Sequence, residues 1–156
     1  MSDILDVVDK ATTDTRNISH NLMPPEFEKT SLKELVSNYY ARLDRESCTR
    51  FYFYSFGDDQ NFSKQDELII YRIIMELTGN ILKHANAAEA TIQLIYYPHK
   101  LEIMVEDNGK GITENENKGI GIKNIQSRID YLNGELRIDT GVGGTTVIII
   151  LPYKSK

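Results

Sequence analysis

The sequence predicts an α/β (α+β) fold: a two-layer sandwich in which a mixed, largely antiparallel sheet of about five strands packs on three helices, with an N-terminal helical arm. Three observations predict it. Two pairs of apolar, strand-like segments are joined by connections short enough to demand antiparallel hairpins, Pro98-His99-Lys100 in one and Gly141–Gly144 in the other. Longer segments with helical spacing of apolar residues stand before and between them. The chain has 156 residues, 40% hydrophobic and 26% charged, which suits a single soluble domain, or one domain with a short arm, whose core needs neither metal nor disulfide.

Residues 3–22 read as one helix, the arm. Ile4, Val8, Ala11, Thr15, Ile18 and Leu22 alternate spacings of four and three. That is the seam of a helix packing on another helix, and it equally suits a surface helix packed on its own domain. Met23-Pro24-Pro25 ends it, because a residue before proline avoids helical geometry. Ser31, with Glu34 three residues on, forms a capping box for a second helix with apolar face Leu32, Leu35, Val36, Tyr39 and Leu43. Thr49–Phe56 is aromatic and alternating, hence a strand, closed by Gly57-Asp58-Asp59. Ser63 opens a third helix reaching about Ala85, with Ile70, Ile73, Ile74, Leu77 and Ile81 as its core stripe. Strands Ala90–Tyr97 and Leu101–Asp107 make the first hairpin. A polar, glycine-punctuated loop over 108–120 leads to a helix over Ile122–Leu132 that ends at Asn133-Gly134. Strands Glu135–Thr140 and Thr145–Leu151 make the second hairpin.

Charge and composition remove several function classes. With 18 basic against 23 acidic residues the net charge is −5, and no dense Lys/Arg cluster exists to carry a nucleic-acid footprint. Cys48 is the only cysteine, which excludes a disulfide framework and points to a reducing compartment. The longest purely apolar run, Val147–Leu151, falls far short of the about 20 residues a bilayer helix needs. The acidic N-terminus lacks the basic region of a signal peptide. A cytoplasmic location, with no direct membrane contact by this segment, is the expectation.

The third helix carries a polar stripe beside its apolar one. Glu76, Asn80, Lys83 and His84 share one side, about a quarter-turn from the core stripe at about 100° per residue. A carboxylate beside an amide can activate a water or hydroxyl and hold an oxygen-loving cation, and a lysine suits phosphate; the plain alternative is a solvated helix face. Alternation gives Asp107 the inward parity of Leu101, Ile103 and Val105. A carboxylate so placed needs donors, and Gly109 and Gly111 allow backbone to approach closely; a simple turn is the alternative. Gly119 and Gly121 precede a helix whose first N–H groups can bind an anion. Thr145 shares the inward parity of Val147 and Ile149. No Rossmann fingerprint or P-loop is present. His20, His84 and His99 show no zinc-like spacing among themselves or to Cys48.

Taken in order, E-L-T-G-N-I-L-K-H-A (76–85), D-N-G-K-G (107–111), G-I-G-I (119–122) and G-T-T (144–146) resemble the N, G1 and G2 boxes and closing strand of one family. That family is the ATP-binding catalytic domains of sensor histidine kinases, in the wider group that includes DNA gyrase B, Hsp90 and MutL. The likeness runs from about Leu68 to Pro152. R-N-I-S-H-N-L-M-P-P (16–25), followed by S-L-K-E-L, resembles the end of the dimerisation bundle in the NarL-partner, DesK-like subgroup.

The resemblance implies a Bergerat fold, with residues 1–25 the end of the bundle (its second helix) and 26–156 the ATP-binding catalytic domain. It implies ATP and Mg²⁺ as cofactors. Glu76 would align with the γ-phosphate and the incoming histidine, Asn80 would hold Mg²⁺, and Lys83 or His84 would touch phosphate oxygens. Asp107 would accept from the adenine amino group, helped by Thr145, while Gly109, Gly111, Gly119 and Gly121 would shape the lid and phosphate cradle. The loop from Ile112 to Lys118 is short, as in that subgroup, so a large lid is not expected. The phosphoacceptor histidine of the subgroup lies upstream in a His-Asp motif; His20, followed by Asn21, does not match it. The implied partners are the upstream phosphoacceptor helices of a homodimeric parent kinase and a response regulator, and the segment alone is not expected to autophosphorylate. An anti-sigma-type protein serine kinase and a non-catalytic nucleotide-binding signalling module are alternatives on the same fold.

Overall fold

The computed structural model of the chain describes residues 24–59, 62–117 and 119–155, so the expected helical arm over 3–22 lies outside the described residues, as does His20. A short helix α1 (Pro25–Lys29) begins at the proline pair, where a proline at the first helical position loses no hydrogen bond. Helix α2 (Leu32–Leu43) carries the expected capping box. Ser31 Oγ accepts from the Glu34 amide at 3.2 Å, and Glu34 Oε2 accepts from the Ser31 amide at 3.2 Å. Strand β1 (Arg50–Phe56) leads to helix α3 (Lys64–Asn80), capped by Ser63, whose Oγ accepts from the Asp66 amide at 3.1 Å. The hairpin of β2 (Glu89–Tyr96) and β3 (Lys100–Asp107) follows. A single-turn helix α4 (Glu114–Asn117), helix α5 (Ile120–Tyr131) and the hairpin of β4 (Glu135–Gly141) and β5 (Gly144–Pro152) complete the chain.

The sheet order is β1-β2-β3-β5-β4, with β1 and β2 parallel through the α3 crossover and every other pair antiparallel. One face is buried. Ala90, Ile92, Leu94 and Tyr96 from β2 lie in register with Asp107, Val105, Ile103 and Leu101 from β3, and these with Thr145, Val147, Ile149 and Leu151 from β5. The helices close over that face with Val36 and Tyr40 from α2, Ile70, Ile73, Ile74 and Leu77 from α3, and Ile125 and Ile129 from α5. Each such aliphatic side chain contributes about 1.5–3 kcal/mol by leaving water. Among the described residues no helix is long and apolar enough to cross a membrane.

Besides the unexpected helix α1, the structure departs from expectation in four places. Tyr40, not Tyr39, is the buried aromatic of α2. It stacks on Phe51 and Phe53, and its hydroxyl meets Thr78 Oγ1 at 2.6 Å. Helix α5 starts at Ile120 rather than Ile122, so Gly121 lies inside its first turn and Gly119 is its N-cap. Helix α4 breaks the expected loop because Thr113 and Glu116 cap each other, a four-residue signal too short to register as a helical period. Finally, α3 does not run to Ala85 as an α-helix. Residues Ile81–Ala85 form a π-helical turn that ends at Asn86 in the left-handed region, φ 50°.

Candidate functional site

At the end of the sheet where β3 and β5 finish, the buried layer opens into a cavity of about 320 Å³. The alternation that fills the core with Val105 and Val147 places Asp107 and Thr145 next along the same face, so the last inward side chains are polar. Asp107 is buried and accepts from the Gly109 amide at 2.8 Å and from the Thr145 backbone. Burial raises its pKa from the ordinary carboxylate range, and the two backbone donors offset part of that rise. The floor beside it is apolar, formed by Leu77, Ile81, Val105, Ile122 and Val147.

The opposite wall comes from α3 and α5. Asn80 and His84 line it. At Gly121 an added Cβ would lie 2.8 Å from Glu76 Oε1 and 3.6 Å from Asn80 Oδ1. Glycine here lets the first turn of α5 reach the polar groups of α3. No side chain caps that turn, since its N-cap is Gly119, and its N–H groups and dipole favour a negative ligand. Across the mouth, α4 contributes Glu116. Its Oε2 accepts from the Thr113 amide at 2.8 Å, and that bond chiefly holds its carboxyl below the usual range, with smaller contributions from Lys110 and His84.

The cavity therefore gathers Asn80, His84, Asp107, Gly111, Gly119, Gly121 and Thr145 among the sequence-derived candidates. Glu76 borders it at Gly121 without lining it. Two candidates stand apart. Lys83 is exposed and off the cavity wall, because the wider π turn breaks the 100° progression that set it beside His84 on an ideal helix. Gly109 is buried under the π turn, where an added Cβ would come within 2.2 Å of the Ala85 carbonyl oxygen. Its neighbour Lys110 donates its amide to that same oxygen at 2.8 Å. Gly109 thus shapes the loop and does not face the cavity. Glu116 was not singled out from sequence, although the Thr113-Glu116 capping spacing was readable there, and the floor residues Leu77, Ile81, Val105 and Val147 were read there only as core positions. Among the described residues no group of three or more His, Cys, Asp or Glu is arranged to hold a metal.

Comparison with known proteins fits this geometry. Residues 65–155 match the family described as histidine kinase-, DNA gyrase B- and HSP90-like ATPase. The signal transduction histidine-protein kinase/phosphatase DegS of Bacillus subtilis is 30% identical over 121 residues, covering 72% of this chain and 31% of that protein. DegS of Brevibacillus brevis is 26% identical over 157 residues, covering 99% of this chain and 41% of that one. The chain thus spans less than half the length of these curated relatives. Among solved structures, the histidine kinase domain of the blue-light activated histidine kinase from Erythrobacter litoralis superposes with a TM-score of 0.63 at 23% identity, covering 78% of this chain and 64% of that one.

Proposed function

We propose, since this chain belongs to the histidine kinase-, DNA gyrase B- and HSP90-like ATPase family, that it is the ATP-binding catalytic module of a two-component sensor histidine kinase. The module transfers the ATP γ-phosphoryl group to a histidine on an upstream bundle helix, from which a response regulator takes it. In this reading residues 1–25 end the dimerisation bundle of a homodimeric parent, residues 26–156 form the catalytic domain, and the module works in the cytoplasm. One observation carries it: Asp107 and Thr145 at the sheet end and Asn80 and His84 on the helix side line a single cavity. Its volume, about 320 Å³, is at the lower end of small-molecule sites. The space between is apolar, as a flat base requires.

In this reading Asp107 accepts from the adenine amino group, and Thr145 supports the same edge through its hydroxyl. The uncapped first turn of α5, entered through Gly119 and Gly121, takes the phosphate chain, with His84 supplying a further donor. Lys83 is exposed and off the cavity wall while His84 lines it, so His84 is the better of the two assignments. Gly111 gives the loop its sharp departure, and Gly109 seats that loop on the π turn. The donor set fits Mg²⁺: Glu76 and Asn80 offer hard oxygens side by side, too few for a protein cage and suited to a cation shared with substrate phosphates. When bound, Mg²⁺ neutralises phosphate charge. Glu76, next to Asn80, is assigned to the incoming imidazole, whose N–H its carboxylate would accept from. The module's contribution is orientation and charge placement, worth most when the reacting atoms are held in line.

The test is phosphoryl transfer from γ-labelled ATP, with the chain alone and with a separately made upstream bundle helix pair. Label is expected on the bundle histidine, and none on the chain alone. Label at His20 of the isolated chain, or acid-stable label on a partner's serine, would replace this reading.

A further inference from the structure

Thr140 lies outside the motifs at 76–85, 107–111, 119–122 and 144–146, yet it joins three parts of the site. It is the penultimate residue of β4, directly opposite Thr145 on β5, and the two Oγ1 atoms meet at 2.9 Å. Its Oγ1 also accepts from the Ile112 amide at 2.7 Å, where the short lid leaves the glycine loop. Around this hydroxyl the backbones touch. Gly111, at φ 84°, leaves an added Cβ only 2.3 Å from the Gly141 carbonyl oxygen and 3.0 Å from Thr140 Oγ1. Gly144, at φ 128°, leaves one 1.9 Å from the Asp107 carbonyl oxygen. The loop after Asp107 and the β4–β5 hairpin are therefore pressed together, with one side-chain hydroxyl between them.

Either hydroxyl can donate in that pair, and donor accounting leaves Thr140 free to be the one that does. A threonine hydroxyl has one hydrogen to donate and two lone pairs to accept with. Ile112 occupies one lone pair of Thr140, and the neighbour within reach of its hydrogen is Thr145 Oγ1. With Thr140 donating, Thr145 keeps its own hydrogen for the cavity. Asp107 then presents an acceptor and Thr145 a donor, side by side on the same inward face. Adenine offers the complement, an amino donor beside a ring-nitrogen acceptor. Guanine offers the reverse pair, a carbonyl beside a ring N–H.

We propose that Thr140 is a positioning residue: its hydroxyl sets Thr145 as a donor for adenine and anchors the start of the lid at Ile112, so base selection and lid position share one hydrogen-bond chain. This rests on the nucleotide reading above. The experiment compares wild type, Thr140→Val and Thr140→Ser by calorimetric titration with ATP and GTP, and by amide hydrogen exchange at Ile112. One hydrogen bond of ordinary strength corresponds to about a two- to tenfold change in affinity. Thr140→Val is expected to weaken ATP binding by about that factor, narrow the ATP/GTP preference and speed exchange at Ile112, while Thr140→Ser restores all three. An unchanged ATP/GTP ratio in Thr140→Val, or a Thr140→Ser variant behaving like Thr140→Val, overturns the proposal. Should Thr140→Val fail to melt cooperatively, Thr140→Ala is measured in its place and read by the same criteria. Wild type that binds neither nucleotide would instead overturn the function on which the proposal rests.

Discussion

Two backbone amides, those of Gly109 and Thr145, donate to the Asp107 carboxylate, yet burial still lifts its pKa. Asn at this position keeps the shape and loses the charge. Its amide nitrogen also turns one of the two backbone donors toward another donor. Under the proposed function, the adenine amino group loses a charge-assisted hydrogen bond, worth about 1.5–3 kcal/mol, so Asp107→Asn should weaken ATP binding about 10- to 100-fold by calorimetry. The same residue has a stability signature. Its folded pKa lies above its unfolded one, so its contribution to stability is complete below the unfolded value and is lost as pH rises through the folded value. Melting wild type and Asp107→Asn across the acid range should therefore give a difference, wild type minus variant, that falls as pH rises through that raised value and is then flat toward neutrality. A difference that climbs with pH would show that the backbone donors outweigh burial.

Two glycines, one within helix α3 and one in the loop packed under its π turn, have opposite demands. Gly79 lies within α3, and an added Cβ meets nothing within 4 Å. Gly79→Ala should raise stability by about 0.5–1 kcal/mol, through the entropy glycine loses on entering a helix. Gly109→Ala must push the loop off the Ala85 carbonyl, and should cost about 1–3 kcal/mol as an overpacked contact. Chemical denaturation measures both, and equal effects would mean that the π turn yields freely. The same elements show what the sequence carried. Alternation revealed the inward parity of Asp107 and Thr145, and the helical period revealed Ile70, Ile73, Ile74 and Leu77, because burial on one face is a local pattern. Lys83 was misaligned with the cavity because one π turn changes the angle per residue without any mark in side-chain chemistry. Gly109, expected in the phosphate cradle, packs beneath the π turn against the Ala85 carbonyl instead. Thr140 was invisible for another reason: its partners Ile112 and Thr145 are set by strand register and loop docking, which no local spacing encodes.

At the scale of the whole molecule, the core and the cavity are nearly separable. Ile70, Ile73, Ile74, Ile92, Leu94, Leu101, Ile103, Ile125, Ile129 and Ile149 are fully buried without any ligand, so the empty domain has a complete apolar core and should melt cooperatively. The cavity, by contrast, is walled by three independent pieces: the ends of β3 and β5, the end of α3 with its π turn, and the first turn of α5 with the α4 segment. A ligand that spans them binds only the folded arrangement and must stabilise it by mass action, by about 2.7 kcal/mol at a hundredfold excess over Kd. For a domain of this size about 2–4 °C of Tm follows each kcal/mol, so under the proposed function saturating Mg·ATP should raise Tm by about 5–10 °C. Under the proposed function, chelating the metal with ATP still present should remove part of that shift, because a cation shared by Asn80, Glu76 and the phosphates would then be lost. Thermal scans with ATP, with and without Mg²⁺, and with Mg²⁺ alone separate the contributions. Stabilisation by Mg²⁺ alone as large as by Mg·ATP would place the metal in a site of its own, and no shift with Mg·ATP would mean that the three walls do not close on a nucleotide.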